Sequence, residues 1–230
     1  MRFYKTAALF VALLPAVAMY GQPAYRIADY MPMRLGDTLQ LQNMLDDKLP
    51  PLVATYSDTL HFKGQFAFKR KENAQFRIEQ LDAGGWKLLA VGLGGGKEII
   101  FDQPLVLLPA TVKQGEVIKL EANYILLEAK QKKGSGRQSF EIKVEGNDSS
   151  RTPLQNFADC FVITTTVIRY PAGGTAEGYS VKEWYARDIG LIKSAGEVFT
   201  VNTAGKRLPK GRIALMLERA VVNGVVMEKE

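Results

Sequence analysis

Chemistry at a protein site needs groups that can be paired, and this chain offers few. His61 is its single histidine and Cys160 its single cysteine. No multi-histidine metal site can be built, and a Cys-His or Ser-His pair would need His61 itself. His61 stands on the parity of Lys63, Gln65 and Lys69, opposite Phe62, which predicts a solvent-facing side chain. Cys160 opens the apolar run Cys160-Phe161-Val162-Ile163 and reads as a small core residue. The stretch Gly92-Leu93-Gly94-Gly95-Gly96-Lys97 has the composition of a phosphate loop. Glu98, however, stands where Ser or Thr is needed, and Ile99-Ile100-Phe101 reads as strand, not helix, so a hairpin turn is expected. Asn147-Asp148-Ser149-Ser150 lacks the spaced ligands and closing glutamate of a calcium loop. Glu141 and Glu183 are carboxylates that sequence alone cannot pair. The expectation is a non-enzyme with no cofactor and no metal.

The elements that must position any site are strands. In Ser139–Glu145, Phe140, Ile142 and Val144 alternate with polar residues, and Ile118, Leu120, Ala122 and Tyr124 do the same over 118–124. Over His61–Lys69, Phe62, Phe66 and Phe68 share one parity around Gly64. A period of two puts each apolar set on one face of a pleated strand, the pattern of an antiparallel sheet with one dry face. Turns are expected at Ala83-Gly84-Gly85, Gly92–Gly96, Lys133–Gly136, Gly146-Asn147-Asp148, Pro171–Gly174 and Asn223-Gly224. Helix should be scarce, with Asn43–Lys48 the best candidate. A proline, a glycine turn with an acid and then a strand occur twice, at Pro32–Asp37 and at Pro109–Glu116. The fold class that follows is mostly β: a curled antiparallel sheet, as a half-barrel or roll, with a β-sandwich as the alternative.

Arg2 and Lys5, the apolar run Thr6–Leu14, Pro15 and the small residues Ala16 and Ala18 read as a signal peptide over 1–18, cut after Ala18. Residues 19–28 are then a loose lead-in, 29–230 a single antiparallel β domain, and Lys229 and Glu230 a frayed end. The expected location is the periplasm or outside the cell, with no transmembrane segment in the mature chain. Loss of Arg2 and Lys5 lowers the net charge from +6 to +4. The bases are scattered, and the tightest group, Lys130, Lys132, Lys133 and Arg137, suits a solvated hairpin tip, so no nucleic-acid partner is expected.

Four stretches carry a family resemblance: Tyr30–Thr38, Leu108–Glu116, Thr152–Cys160, and Glu183-Trp184-Tyr185-Ala186-Arg187-Asp188-Ile189-Gly190-Leu191-Ile192-Lys193. Together they resemble uncharacterised exported bacterial β proteins similar to the LolA/LolB-like lipoprotein-carrier half-barrels. Leu39, Asn156 and Asp188 depart from that group's pattern, the last standing where a glycine is common. The resemblance implies an antiparallel sheet curled around an apolar interior and no shared catalytic residues. Within the last stretch, alternation puts Trp184 and Ala186 on one face and Glu183, Tyr185 and Arg187 on the other, with Trp184 expected inward.

The function expected is an exported binding protein of the cell envelope holding an apolar or lipid-like ligand in the curled sheet. The alternative is a structural or accessory subunit of an envelope assembly, its interior filled by side chains. Phe62, Phe66, Phe68, Tyr124, Phe140 and Trp184 are the candidate ligand-lining residues, and the same six serve as core under the alternative. The expected partner is an apolar ligand or an envelope protein.

Overall fold

Strand alternation gives every element one apolar face, and those faces are buried by closing the sheet on itself. The computed structural model describes residues 23–229. The signal-peptide reading of 1–18, the lead-in residues 19–22 and Glu230 lie outside the described residues. In chain order the strands are β1 (Ala24–Arg26), β2 (Thr38–Asn43), β3 (Leu52–Phe62), β4 (Gln65–Glu72) and β5 (Gln75–Asp82). There follow β6 (Gly85–Gly94), β7 (Lys97–Leu108), β8 (Thr111–Lys113), β9 (Val117–Glu128) and β10 (Gln131–Arg151). The last are β11 (Asn156–Pro171), β12 (Ala176–Ala186), β13 (Gly190–Val201), β14 (Arg207–Val222) and β15 (Val225–Glu228). Helix among the described residues is limited to one 3-10 turn, Ile27–Asp29.

The ring runs β2-β3-β4-β5-β6-β7-β9-β10-β11-β12-β13-β14 and returns to β2, a closed antiparallel barrel of 12 strands. This corrects the half-barrel and sandwich expectations. Closure depends on β14, which pairs Arg207–Met216 with β13 and Leu215–Val221 with β2, bending at a bulge between Leu217 and Arg219. A ring leaves no sheet edge exposed within it. Lys119 faces Glu141 at 3.0 Å on the outer surface, and Arg137 meets Glu121 at 3.2 Å there.

Inside, Ile99, Phe101, Leu108, Ile142, Val144, Phe161 and Ile163 belong to one fully buried cluster. Burial of each such side chain stabilises the fold by roughly 1.5–3 kcal/mol. The expected loose lead-in is structured where it is described. Ala24–Arg26 pairs with Thr111–Lys113, the Ile27 N–H donates to Ala110 O at 2.9 Å, and Tyr25, Ile27, Tyr30, Met31 and Met33 are buried in this same cluster. The segment plugs one end of the barrel with apolar side chains.

Turn chemistry accounts for most connections. Asn223 (φ 53) and Gly224 (φ 76) both adopt left-handed backbone in the two-residue hairpin expected there. The repeated proline-glycine-acid motif makes the same turn twice: the Asp37 N–H donates to Arg34 O and the Glu116 N–H to Lys113 O. Three expectations are corrected. Asn43–Lys48 is not helical, because the side chains of Asn43 and Asp46 accept from the N–H groups of Leu45 and Lys48 and hold tight turns instead. The β9–β10 tip is Ala129-Lys130, and Lys133–Gly136 lies within β10. Gly146-Asn147-Asp148 is also inside β10, where register shifts bend the strand.

A further tip at Lys63-Gly64 separates the three phenylalanines. Phe62 pairs with Gln65 and His61 with Phe66. Cross-strand partners share a face, so Phe62 lies opposite Phe66 and Phe68, not beside them. The β3–β4 tip folds over the barrel exterior, where the Lys63 ammonium donates to Phe101 O at 2.7 Å and Ala67, Leu60 and Phe62 pack on Ile78, Leu89 and Ala90. The end of the β10–β11 hairpin likewise reaches β14, with the Leu154 N–H donating to Leu217 O at 3.2 Å. Beneath it lies a second cluster of Phe157, Cys160, Val162, Trp184, Ile192 and Leu217.

Candidate functional site

The lumen is not filled. Beyond the plug lies a cavity of about 390 Å³ walled by Trp86, Leu88, Ile99, Phe140, Ile142 and Val167. Gln75, Arg169, Glu177 and Val198 stand at its more exposed end. Trp86 is the second residue of β6, directly after Gly85; Gly85 sits at φ +115, and a Cβ there would stand 2.1 Å from Leu108 O. Only glycine allows that approach, which sets Trp86 against the lumen.

Charged residues on the inward parity of β4, β5 and β12 give this apolar space a polar side. Arg70 bonds Glu72 directly and approaches Glu79 at 3.8 Å, while Arg77 Nε lies 3.4 Å from Glu72. The Tyr56 hydroxyl donates to Glu79 at 3.4 Å, and the Thr165 hydroxyl donates to Glu183 at 3.0 Å. Burial alone would raise the Glu72 pKa, but the Arg70 and Arg77 guanidiniums outweigh it and hold that carboxyl at about 2. Glu183 goes the other way: burial lifts its pKa above the ordinary carboxylate value, and Arg77 opposes this only in part. Burial likewise raises the phenols of Tyr56, Tyr179 and Tyr185. The Trp86 indole N–H is buried with no hydrogen-bond partner among the described residues.

Of the six aromatic residues expected to line a site, Phe140 lines this cavity. Tyr124 is buried in the same core but borders a separate hollow with Phe101 and Ser135. Phe68 is half-buried against that core, Phe66 is 49% exposed beside His61, and Phe62 packs in the exterior cluster under the hairpin tip. Trp184 is turned from the lumen into the second cluster, and Tyr185 takes the inward position, which reverses the expected orientation. Glu141 and Glu183 do not meet: the first is outside with Lys119, the second inside. Sequence reasoning missed Trp86, Glu72 and Arg77. The legible signal was parity, since Phe68, Arg70 and Glu72 share a face, but Lys69-Arg70-Lys71-Glu72 reads as a solvated charge run.

Cys160 is buried, and burial together with Asp148 and Asp159 pushes its thiol up to about 11. Folded protein should therefore resist iodoacetamide near neutral pH and label fully once unfolded, because the thiolate is the reactive form. Rapid labelling of the native protein would show that the second cluster opens.

No family model and no curated protein matches the chain. Two solved structures are similar in chain course. One is a candidate lipoprotein of Parabacteroides distasonis, 12% identical over 83% of this chain and 97% of that one, with a TM-score of 0.41. The other is a candidate exported protein with a YmcC-like fold from Bacteroides fragilis, 13% identical over 83% of this chain and 98% of that one, with a TM-score of 0.49.

Proposed function

We propose that the protein is an exported, non-catalytic binding protein of the cell envelope whose barrel lumen takes an apolar or amphiphilic small molecule. The observation that carries this reading is the cavity of about 390 Å³ with an apolar wall and one polar side. Ligand sites have this character and occupy roughly 300–1,000 Å³. The alternative role, as an accessory subunit of an assembly, needs no such space and is served by a filled interior.

Octanol serves as a neutral probe, with Trp86 as its reporter. Octanol should change the indole fluorescence saturably, and Val167→Phe should weaken binding by about tenfold, about 1.4 kcal/mol, by occupying the space. Thermal melts of the variant control for folding. Absence of saturable binding, or a Val167→Phe protein that melts like wild type and binds equally well, would count against the lumen as a site. Export rests on residues 1–18 and has its own check: protein from its native host should begin near Met19 by mass spectrometry. An intact Met1 would overturn it.

A further inference from the structure

Lumen charges pair off with one exception. Arg70 and Arg77 balance Glu72 and Glu79, and Arg169 bonds Glu177 near the exposed end. Glu183 also lines the cavity, yet it forms no ion pair among the described residues and only the Thr165 hydroxyl bonds it. The groups facing it are Arg70 and Glu72 on β4, Arg77 on β5, Tyr179 and Tyr185 on its own strand, and Ser194 across β13. Arg77 is already held by Glu72 at 3.4 Å, and Arg70 by Glu72 and Glu79. Trp86, Phe140 and Tyr179 border the same space.

We propose that the lumen selects amphiphiles carrying a protonated amine, with Glu183 as the counter-ion and Trp86, Phe140 and Tyr179 as the aromatic wall beside it. This rests on the binding reading above and names the ligand's chemical class. Glu183 lines the cavity without an ion-pair partner and desolvation raises its pKa, so an entering ammonium would favour its ionised form and pair with it. An anionic head would instead add a negative charge that no free cation balances. Aromatic faces attract an ammonium and are indifferent to its alkyl tail. Because the amine pairs with ionised Glu183, its affinity should rise with pH across the titration of that carboxyl, whereas the affinity of a neutral alcohol should not.

Octylamine, octanol and octanoate compared by calorimetry separate the possibilities. At mildly alkaline pH the wild type should bind octylamine about 10- to 100-fold more tightly than octanol, the range for a charge-assisted hydrogen bond. Glu183→Gln should bring octylamine down to the level of octanol measured on the same variant, and a thermal melt like that of wild type shows that the variant is folded. Octanoate binding as well as octylamine, or a Glu183→Gln protein that keeps the amine preference, would overturn the inference while leaving the lumen a binding site. Failure of all three probes would overturn both readings.

Discussion

Arg70→Met should destabilise the protein by about 3–5 kcal/mol, the cost of breaking a buried ion pair from one side. Glu79 is 0% exposed and Glu72 faces the lumen, so losing the guanidinium leaves two carboxylates facing each other with Arg77 alone to serve them. Arg70→Met together with Glu79→Leu should recover much of the loss, because removing both partners spares the uncompensated charge. The pH dependence has a definite sign. Glu72 has a folded pKa of about 2 against an ordinary 4.5, so its contribution is fully present above 4.5 and is lost as pH falls through about 2. Arg70→Met removes part of that depression, so the gap between wild type and variant should narrow as pH falls through this window. Urea unfolding near neutrality and near about pH 3 measures it. An Arg70→Met protein as stable as wild type at neutral pH would mean that the cluster is solvated. Glu183 works in the opposite direction: its raised folded pKa means that stability falls as pH rises above 4.5, and Glu183→Gln should be tolerated at neutral pH.

Trp184→Ala and Tyr185→Ala should each cost about 3–5 kcal/mol, as truncations of buried aromatic side chains do. Consecutive residues of a strand face opposite ways, and here both faces are covered: Trp184 is 7% exposed and Tyr185 5%. Trp184 is held by the second cluster, by its indole N–H donating to Asp148 at 3.2 Å, and by the ammonium groups of Lys182 and Lys193 over its ring. Tyr185 packs beside Phe161 in the lumen core, with ring centres 6.4 Å apart. Equal losses therefore arise from separate compartments, and ligand binding tells them apart. Tyr185→Ala should disturb octanol binding in the adjoining lumen, whereas Trp184→Ala, where enough folded protein remains, should leave it intact. A marginal loss at either residue would mean that its side of β12 is open to water.

Parity made most of the wall legible. Phe140, Ile142 and Val144 are buried as their alternation required, and Asn223-Gly224 turned where its chemistry demanded. Asp188 takes φ 60, a left-handed conformation that a short polar side chain tolerates better than most. The limits of parity show at Lys63-Gly64. A two-residue tip makes cross-strand partners of Phe62 and Gln65, so counting by twos through the turn placed Phe62 on the wrong face.

By itself the sequence determined a β protein of alternating strands, the hairpin turns at Ala83-Gly84, Gly95-Gly96, Pro171–Gly174 and Asn223-Gly224, and the scarcity of groups for histidine or cysteine chemistry. The tertiary structure alone decided closure, because a ring exists only when the two ends of β14 meet β13 and β2 in register, and contacts so far apart in sequence leave no local trace. It also decided which covered face of β12 is the lumen. Trp184 and Tyr185 are both apolar enough for a core, and only the β10–β11 hairpin lying outside the barrel sends the tryptophan outward. The polar side of the cavity was hidden for the same reason: Arg70, Glu72, Arg77 and Glu183 look like solvated charges until closure turns them inward, where desolvation makes their pairing count.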